Sequence, residues 1–183
     1  GEVDHLVPER VWQELARGLM EGAPSRMLRV LRACGALERL LPELARLFGV
    51  PQPVEYHGGV DVGEHVLAVI DRAAARGQPL AVRWACLLHD LGKGTTDPQV
   101  LPHHYGHETR SAALVEGVCA RLKVPAECRD LALMVAREHG IVHRVGELRE
   151  ATLVDLLERG DALRRPERFA ALVEACACDW LAR

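Results

Sequence analysis

The sequence predicts an all-α protein. Three observations carry this: apolar residues recur at helical spacing almost without interruption, no alternating run of β-branched residues competes with them, and Pro and Gly mark the starts and stops. Composition agrees. Hydrophobic residues at 49% with aromatics at only 4% describe a core of Leu, Val and Ala, and 183 residues fit one domain with a small appendage.

Pro8 opens a first helix carrying Val11, Trp12, Leu15 and Leu19, and Pro24 opens a second that Gly35 closes. A third is expected over 36–48. The stretch "GVPQPVEYHGG" then reads as a linker, so that a helical preface, residues 1–49, is divided from a main unit, residues 50–183. Asp61 with Glu64 three residues later predicts the cap of a helix over 62–76, with Gly77 as its stop. Pro79 starts the helix that ends in "LLHDLGKGTT". After a loop rich in Gly, Thr, Pro and His, further helices are expected over 107–123, 125–139, 147–159 and 166–182, separated by Pro125, Gly140 and Pro166.

A net charge of −3 excludes nucleic-acid binding through a global basic field, so any RNA contact must be local. The two lysines are Lys93 and Lys123, and Lys123 is expected to solvate a helix end. Of the six cysteines, Cys86, Cys119 and Cys128 fall in apolar stripes, where a reduced thiol packs as a small hydrophobe. Cys176 and Cys178 lack a second pair at zinc spacing. A reducing cytoplasm is the expected setting, with no apolar run long enough for a membrane span and no signal-peptide pattern. The chain opens on Gly1 rather than Met, which suggests a fragment with a tag remnant.

Six ionisable residues close apolar stripes on five helices. His65 lies three residues after Val62; His89 lies seven after Val82, with Asp90 on the adjoining surface after Cys86 and Leu87. His107 leads Leu114, Val115 and Val118, His139 ends the stripe of Cys128, Leu131, Ala132 and Val135, and Asp161 follows Leu153, Val154 and Leu157. Any one of these is explained as a hydrogen-bonded core residue. Together they imply more, because a buried carboxylate costs several kcal/mol unless compensated, and no Arg or Lys three or four residues away clearly neutralises Asp90 or Asp161 from the inward side. Arg164 and Arg165 are the structural alternative for Asp161. A divalent cation bound by imidazole and carboxylate satisfies the whole set. Lys93, in a Gly-flanked turn, is placed to meet an anion at that cation, and His103 or His104, facing the site, would protonate a leaving group.

The order His65, His89-Asp90 and a distant Asp161 resembles the HD superfamily of metal-dependent phosphohydrolases, and His107 in "GHE" with His139 in "REHG" resembles its two-metal version. "GVDVGEHVLAVIDRA", "ACLLHDLGKGTT", "HHYGHETRSAALVEGVCARLKVP" and "DALRRPERF" are similar to the C-terminal HD domain of the bacterial multifunctional CCA-adding enzymes, a family of tRNA nucleotidyltransferases. "PERVWQELARGLMEGAPSRMLRVLRACGALERLLPEL" is similar to the segment before that domain. That family's Gly-Ser motif and paired acids for nucleotide transfer are absent, so this chain is not expected to add CCA by itself.

The resemblance implies an HD-domain helical bundle preceded by a short helical segment, with phosphatase, 2′-nucleotidase and 2′,3′-cyclic phosphodiesterase activity linked to tRNA 3′-end repair. It implies one or two divalent ions, nickel or else Mn, Co, Fe or Zn, with Mg also admissible. His65, His89, Asp90 and Asp161 would hold the first; His107 and His139, with Asp90 bridging, a second. His89, Asp90 and Lys93 would carry catalysis, and Lys93, His104, Arg110 and Arg164 would face the substrate. A 2′,3′-cyclic or 2′-nucleotide phosphoester, tRNA in the full-length protein and a second copy in a homodimer are the implied partners. The rival readings are an HD hydrolase of another nucleotide, and a non-catalytic domain stapled by metal that binds tRNA or dimerises through arginines such as Arg72, Arg76, Arg110 and Arg121.

Overall fold

The computed structural model describes residues 7–54 and 58–183. Gly1 and the middle of the expected linker, residues 55–57, lie outside the described residues. All regular structure among the described residues is helical. Helices α1 (Pro8–Leu19) and α2 (Ser25–Ala33) fall where proline starts place them. The expected third helix is instead two short ones, α3 (Leu37–Leu40) and α4 (Pro42–Ala45). Pro42 is the reason: its ring pushes the preceding residue out of the helical region, and Leu41 sits at φ −138°, ψ 64°.

Helix α5 (Val62–Ala75) begins at Asp61, whose carboxylate accepts from the Glu64 N–H at 2.8 Å. Glu64 does not return the bond; its side chain pairs with Arg29 on α2 at 2.6 Å. After α5 the chain reverses at Gly77, φ 66°, into α6 (Leu80–Leu88). A 3-10 turn (Leu91–Thr95) follows, and then α7 (His107–Arg121), α8 (Ala126–Val142), α9 (Glu150–Arg159) and α10 (Pro166–Trp180). Helix α8 runs through Gly140 instead of stopping there, because a glycine without a following left-handed turn only weakens a helix.

Helix α6 is the hub, packed against α5, α8 and α10, and every residue from Ala81 to Leu88 is buried. The preface joins the same core. Trp12 of α1 meets Trp84 of α6 edge to face at 5.0 Å, and Leu19, Leu28, Leu37, Leu41, Leu44 and Leu47 are fully buried, each contributing roughly 2 kcal/mol. Buried Arg83 ties the two parts by donating to the carbonyls of Leu19, Glu21 and Gln78. All six cysteines are free; burial pushes the Cys128 thiol up to about 11.

Helix α9 departs from expectation. The stripe read as inward faces solvent, with Leu153 37% and Val154 52% exposed, and α9 buries only Leu156. No described helix is long and apolar enough to cross a membrane.

Candidate metal centre

Three helices end at one place. Helix α6 stops at His89, α8 carries His139 in its last turn, and α10 carries Asp179 one residue before its end. Helix C-termini bear partial negative charge, so their convergence favours a cation even before side chains are counted. His65 near the start of α5 and His107 at the first position of α7 complete the ring.

The turn after α6 brings Asp90 into this ring, and Gly92 permits it. Its N–H donates to Ser111 Oγ at 2.8 Å, and a Cβ there would lie 2.2 Å from the His107 carbonyl. Only glycine lets the turn lie this close to α7.

Two groups of donors result. In each, one ligand atom per residue lies within 4.8 Å of the others: His65, His89 and Asp179 form the first group, and Asp90, His107 and His139 the second. They adjoin where His89 Nε2 lies 3.2 Å from Asp90 Oδ2. The structure thus brings together five of the residues singled out from the sequence.

Hydrogen bonds fix which ring nitrogen faces inward. His89 Nδ1 donates to the Cys86 carbonyl at 2.7 Å, His107 Nδ1 to the His104 carbonyl at 2.8 Å, and His139 Nδ1 to the Val135 carbonyl at 3.0 Å. A carbonyl only accepts, so each Nδ1 carries the proton and each Nε2 of a neutral ring turns a lone pair into the cluster. His107 Nε2 and His139 Nε2 stand 3.3 Å apart, each 3.4 Å from Asp90 Oδ1. Three acceptors face one another. His89 Nε2 and Asp90 Oδ1 are moreover buried with no hydrogen-bond partner, an arrangement that costs about 1–3 kcal/mol per atom unless something supplies positive charge. Imidazole nitrogens and carboxylate oxygens are the donors that first-row divalent ions take, so these residues fit such an ion.

The charge states fit it too. Burial opposes ionisation of Asp90, but the charges of His89 and Lys93 beside it prevail and hold its carboxyl well below the usual range. Asp179 is likewise held low against its burial, by hydrogen bonds from His143 and His65 and the charges of His89 and Arg183. Burial lowers the pKa of His139, which keeps it a neutral ligand. Desolvation lowers His89, but the Asp90 and Asp179 carboxylates outweigh it and raise its pKa, so this position calls for positive charge, which a proton or a cation at Nε2 would supply.

Asp161 is not part of the centre. It lies beyond the outward-facing end of α9 at φ 52°, partly exposed, and pairs with Arg165 at 3.6 Å. Asp179 occupies the place expected of it. The same stripe reading locates Asp179, since Leu172, Ala175 and Cys176, seven, four and three residues before it, are all buried. His143, one turn after His139, was also missed; its Nε2 bonds Asp179 Oδ2 at 2.5 Å, and Arg183 reaches the same oxygen at 3.1 Å.

The basic residues are placed differently from expectation as well. Lys93 does neutralise Asp90: the 3-10 turn curls its buried ammonium back to Asp90 Oδ2 at 2.8 Å, with Gln52 Oε1 also at 2.8 Å. His104 spends both ring nitrogens on its surroundings, Nδ1 on Thr96 and Nε2 on the Pro51 carbonyl, while exposed His103 stacks on Tyr105. Arg110 ties the turn to the loop through Thr95, Thr96 and the Tyr105 carbonyl, and Arg164 is exposed beside Asp161.

Comparison with known proteins adds an independent line. The family model described as HD domain matches residues 62–176, ending three residues short of Asp179, and the one described as probable RNA and SrmB-binding site of polymerase A matches residues 1–48. The chain is 68% identical over all 183 residues to the Multifunctional CCA protein of Azoarcus sp. (strain BH72), covering 44% of that protein. It is 68% identical to the one of Aromatoleum aromaticum, covering 100% of this chain and 45% of the relative. It is 67% identical over 179 residues to that of Cupriavidus necator, covering 98% and 44%. The chain therefore spans less than half the length of these relatives.

Proposed function

The chain belongs to the HD domain family, and from that premise we propose that its buried centre is that of a metal-dependent phosphohydrolase acting on nucleotide phosphoesters. The observation that carries this is the set of facing acceptors, with His89 Nε2 and Asp90 Oδ1 buried and unpaired. His65, His89, Asp90 and Asp179 would hold one divalent cation, and His107 and His139, sharing Asp90, a second. Such an ion lowers the pKa of a water toward neutrality and polarises a phosphoryl oxygen.

The chain's own groups do the rest. The Nδ1 bonds from His89, His107 and His139 lock the rings, and His143 and Arg183 hold the Asp179 carboxylate, so that ligand orientation is set in advance. Lys93 has three ammonium protons and spends two on Asp90 and Gln52, leaving one for a non-bridging oxygen of the substrate. Its tie to Asp90 holds that proton beside the centre.

Nickel or another first-row ion suits these donors, and 2′,3′-cyclic and 2′-phosphoesters at a tRNA 3′ end are the substrates this reading favours. The relatives named Multifunctional CCA protein support that context, as does the match of the preface to an RNA-binding model. The preface, residues 1–49, would then carry RNA contacts beside the catalytic unit, residues 50–183, in a longer cytoplasmic protein. Free cysteines agree with a reducing compartment.

The test joins elemental analysis of the purified chain to turnover of 2′,3′-cyclic AMP. Bound transition metal, with activity lost to chelator and to Asp90→Ala and restored to the wild-type chain by metal, is the expected result. Full activity in metal-free Asp90→Ala would overturn the reading. Metal whose removal unfolds the chain, with no turnover of any phosphoester, would assign the ion to stapling helices instead.

A further inference from the structure

On the far flank of α8 from His139 lies a pocket of about 360 Å³ between α8, α9 and α10, lined by Asp130, Met134, Arg137, Glu138, Arg159 and Arg168. Three guanidiniums meet two carboxylates there, and each carboxylate already has an arginine partner. Both oxygens of buried Glu138 accept from Arg159 at 3.0 Å, and Asp130 pairs with its neighbour Arg129 at 2.8 Å. Arg137 and Arg168 are left as surplus positive charge; neither makes an ion pair among the described residues. Arg168 has only a long bond from Nη2 to the Asp130 carbonyl at 3.4 Å, and its Nε is buried with no partner at all.

A buried, unpaired guanidinium nitrogen is costly, and a planar fork of N–H donors is shaped for an oxyanion that accepts two bonds at once. The geometry points to a second binding site, for a phosphate group held by Arg137 and Arg168 and framed by the Arg159–Glu138 pair. The site is separate from the metal centre: Arg168 precedes Asp179 by eleven residues on α10, roughly 16 Å along the helix axis. Two sources offer that chemistry, free phosphate and the backbone of an RNA whose 3′ end occupies the centre a few nucleotides away. The second source rests on the phosphoester reading; the site itself does not.

Thermal melts of the chelator-treated chain, in inorganic phosphate against chloride at equal ionic strength, decide whether the site exists. Phosphate at ten times its Kd should raise the wild-type Tm by about 4 °C, and Arg168→Met and Arg137→Gln should each remove that shift. Arg137 is exposed, so its variant keeps the test open if Arg168→Met fails to fold. No phosphate-dependent shift in the wild type, or the same shift in both variants, overturns the proposal. A short RNA ending in a 2′,3′-cyclic phosphate separates the sources. Affinity falling about tenfold in both variants, with KM for 2′,3′-cyclic AMP unchanged, identifies a backbone phosphate, and unchanged RNA affinity beside a lost phosphate shift identifies a free one. If the chain turns over no phosphoester, the melts still settle the pocket by themselves.

Discussion

The two donor groups share a wall but differ in how much of their charge the protein already answers. Around Asp179, three neighbours supply donors: His65 at 2.7 Å, His143 at 2.5 Å and Arg183 at 3.1 Å. Around Asp90 Oδ1 there is only a pair of imidazole lone pairs, and the Lys93 ammonium lies on the other oxygen. The first group can stand as a polar network, whereas the second is three acceptors held together by the backbone. The contrast teaches that burial of ionisable groups is weak evidence for a cation, and that unanswered lone pairs facing one another are strong evidence.

Five substitutions sharpen or break that contrast. Asp90 touches both groups, so Asp90→Asn should have the largest effect: loss of bound metal by elemental analysis and a fall in cyclic-phosphodiester turnover of more than about a thousandfold. Lys93→Met should lower kcat by about a hundredfold while metal content stays as in the wild type, since the ammonium serves the substrate's developing charge and not the cation. Asp179→Asn should weaken metal binding by about ten- to a hundredfold in a competition titration, less than Asp90→Asn because His65 and His89 remain. Its partner experiment is Asp161→Asn, for which unchanged metal binding and activity are expected; a loss equal to that of Asp179→Asn would return Asp161 to the site. Asp61→Ala should leave the centre alone and act on stability only: it removes the α5 cap and should cost about 1 kcal/mol in urea unfolding with turnover per folded molecule unchanged.

Much of this was legible in the sequence because helical periodicity says which residues share a face. It placed His65, His89, Asp90 and His139 on buried faces and His107 on a half-buried one, and the starts of α1, α5, α6 and α10 followed from proline and capping chemistry. Periodicity does not say which way a face turns. The stripe before Asp161 is apolar and yet faces outward, and the one before Asp179 is buried under α6. Lys93 shows a second limit: three residues along a helix predict a neighbour on the same side, but in a 3-10 turn pinned by Gly92 the same spacing delivers an ion pair to Asp90. Pro42 was visible all along, and its effect on Leu41 is local chemistry that outweighed an attractive pattern of leucines.

Anomalous diffraction from crystals of the chain grown with manganese tests the central claim most directly. The account predicts a peak enclosed by His65, His89, Asp90 and Asp179, and a second against His107 and His139, each within bonding distance of those side chains. Ordered crystals with no anomalous density at either place would contradict it, and would leave a proton on His107 or His139 to answer the facing lone pairs.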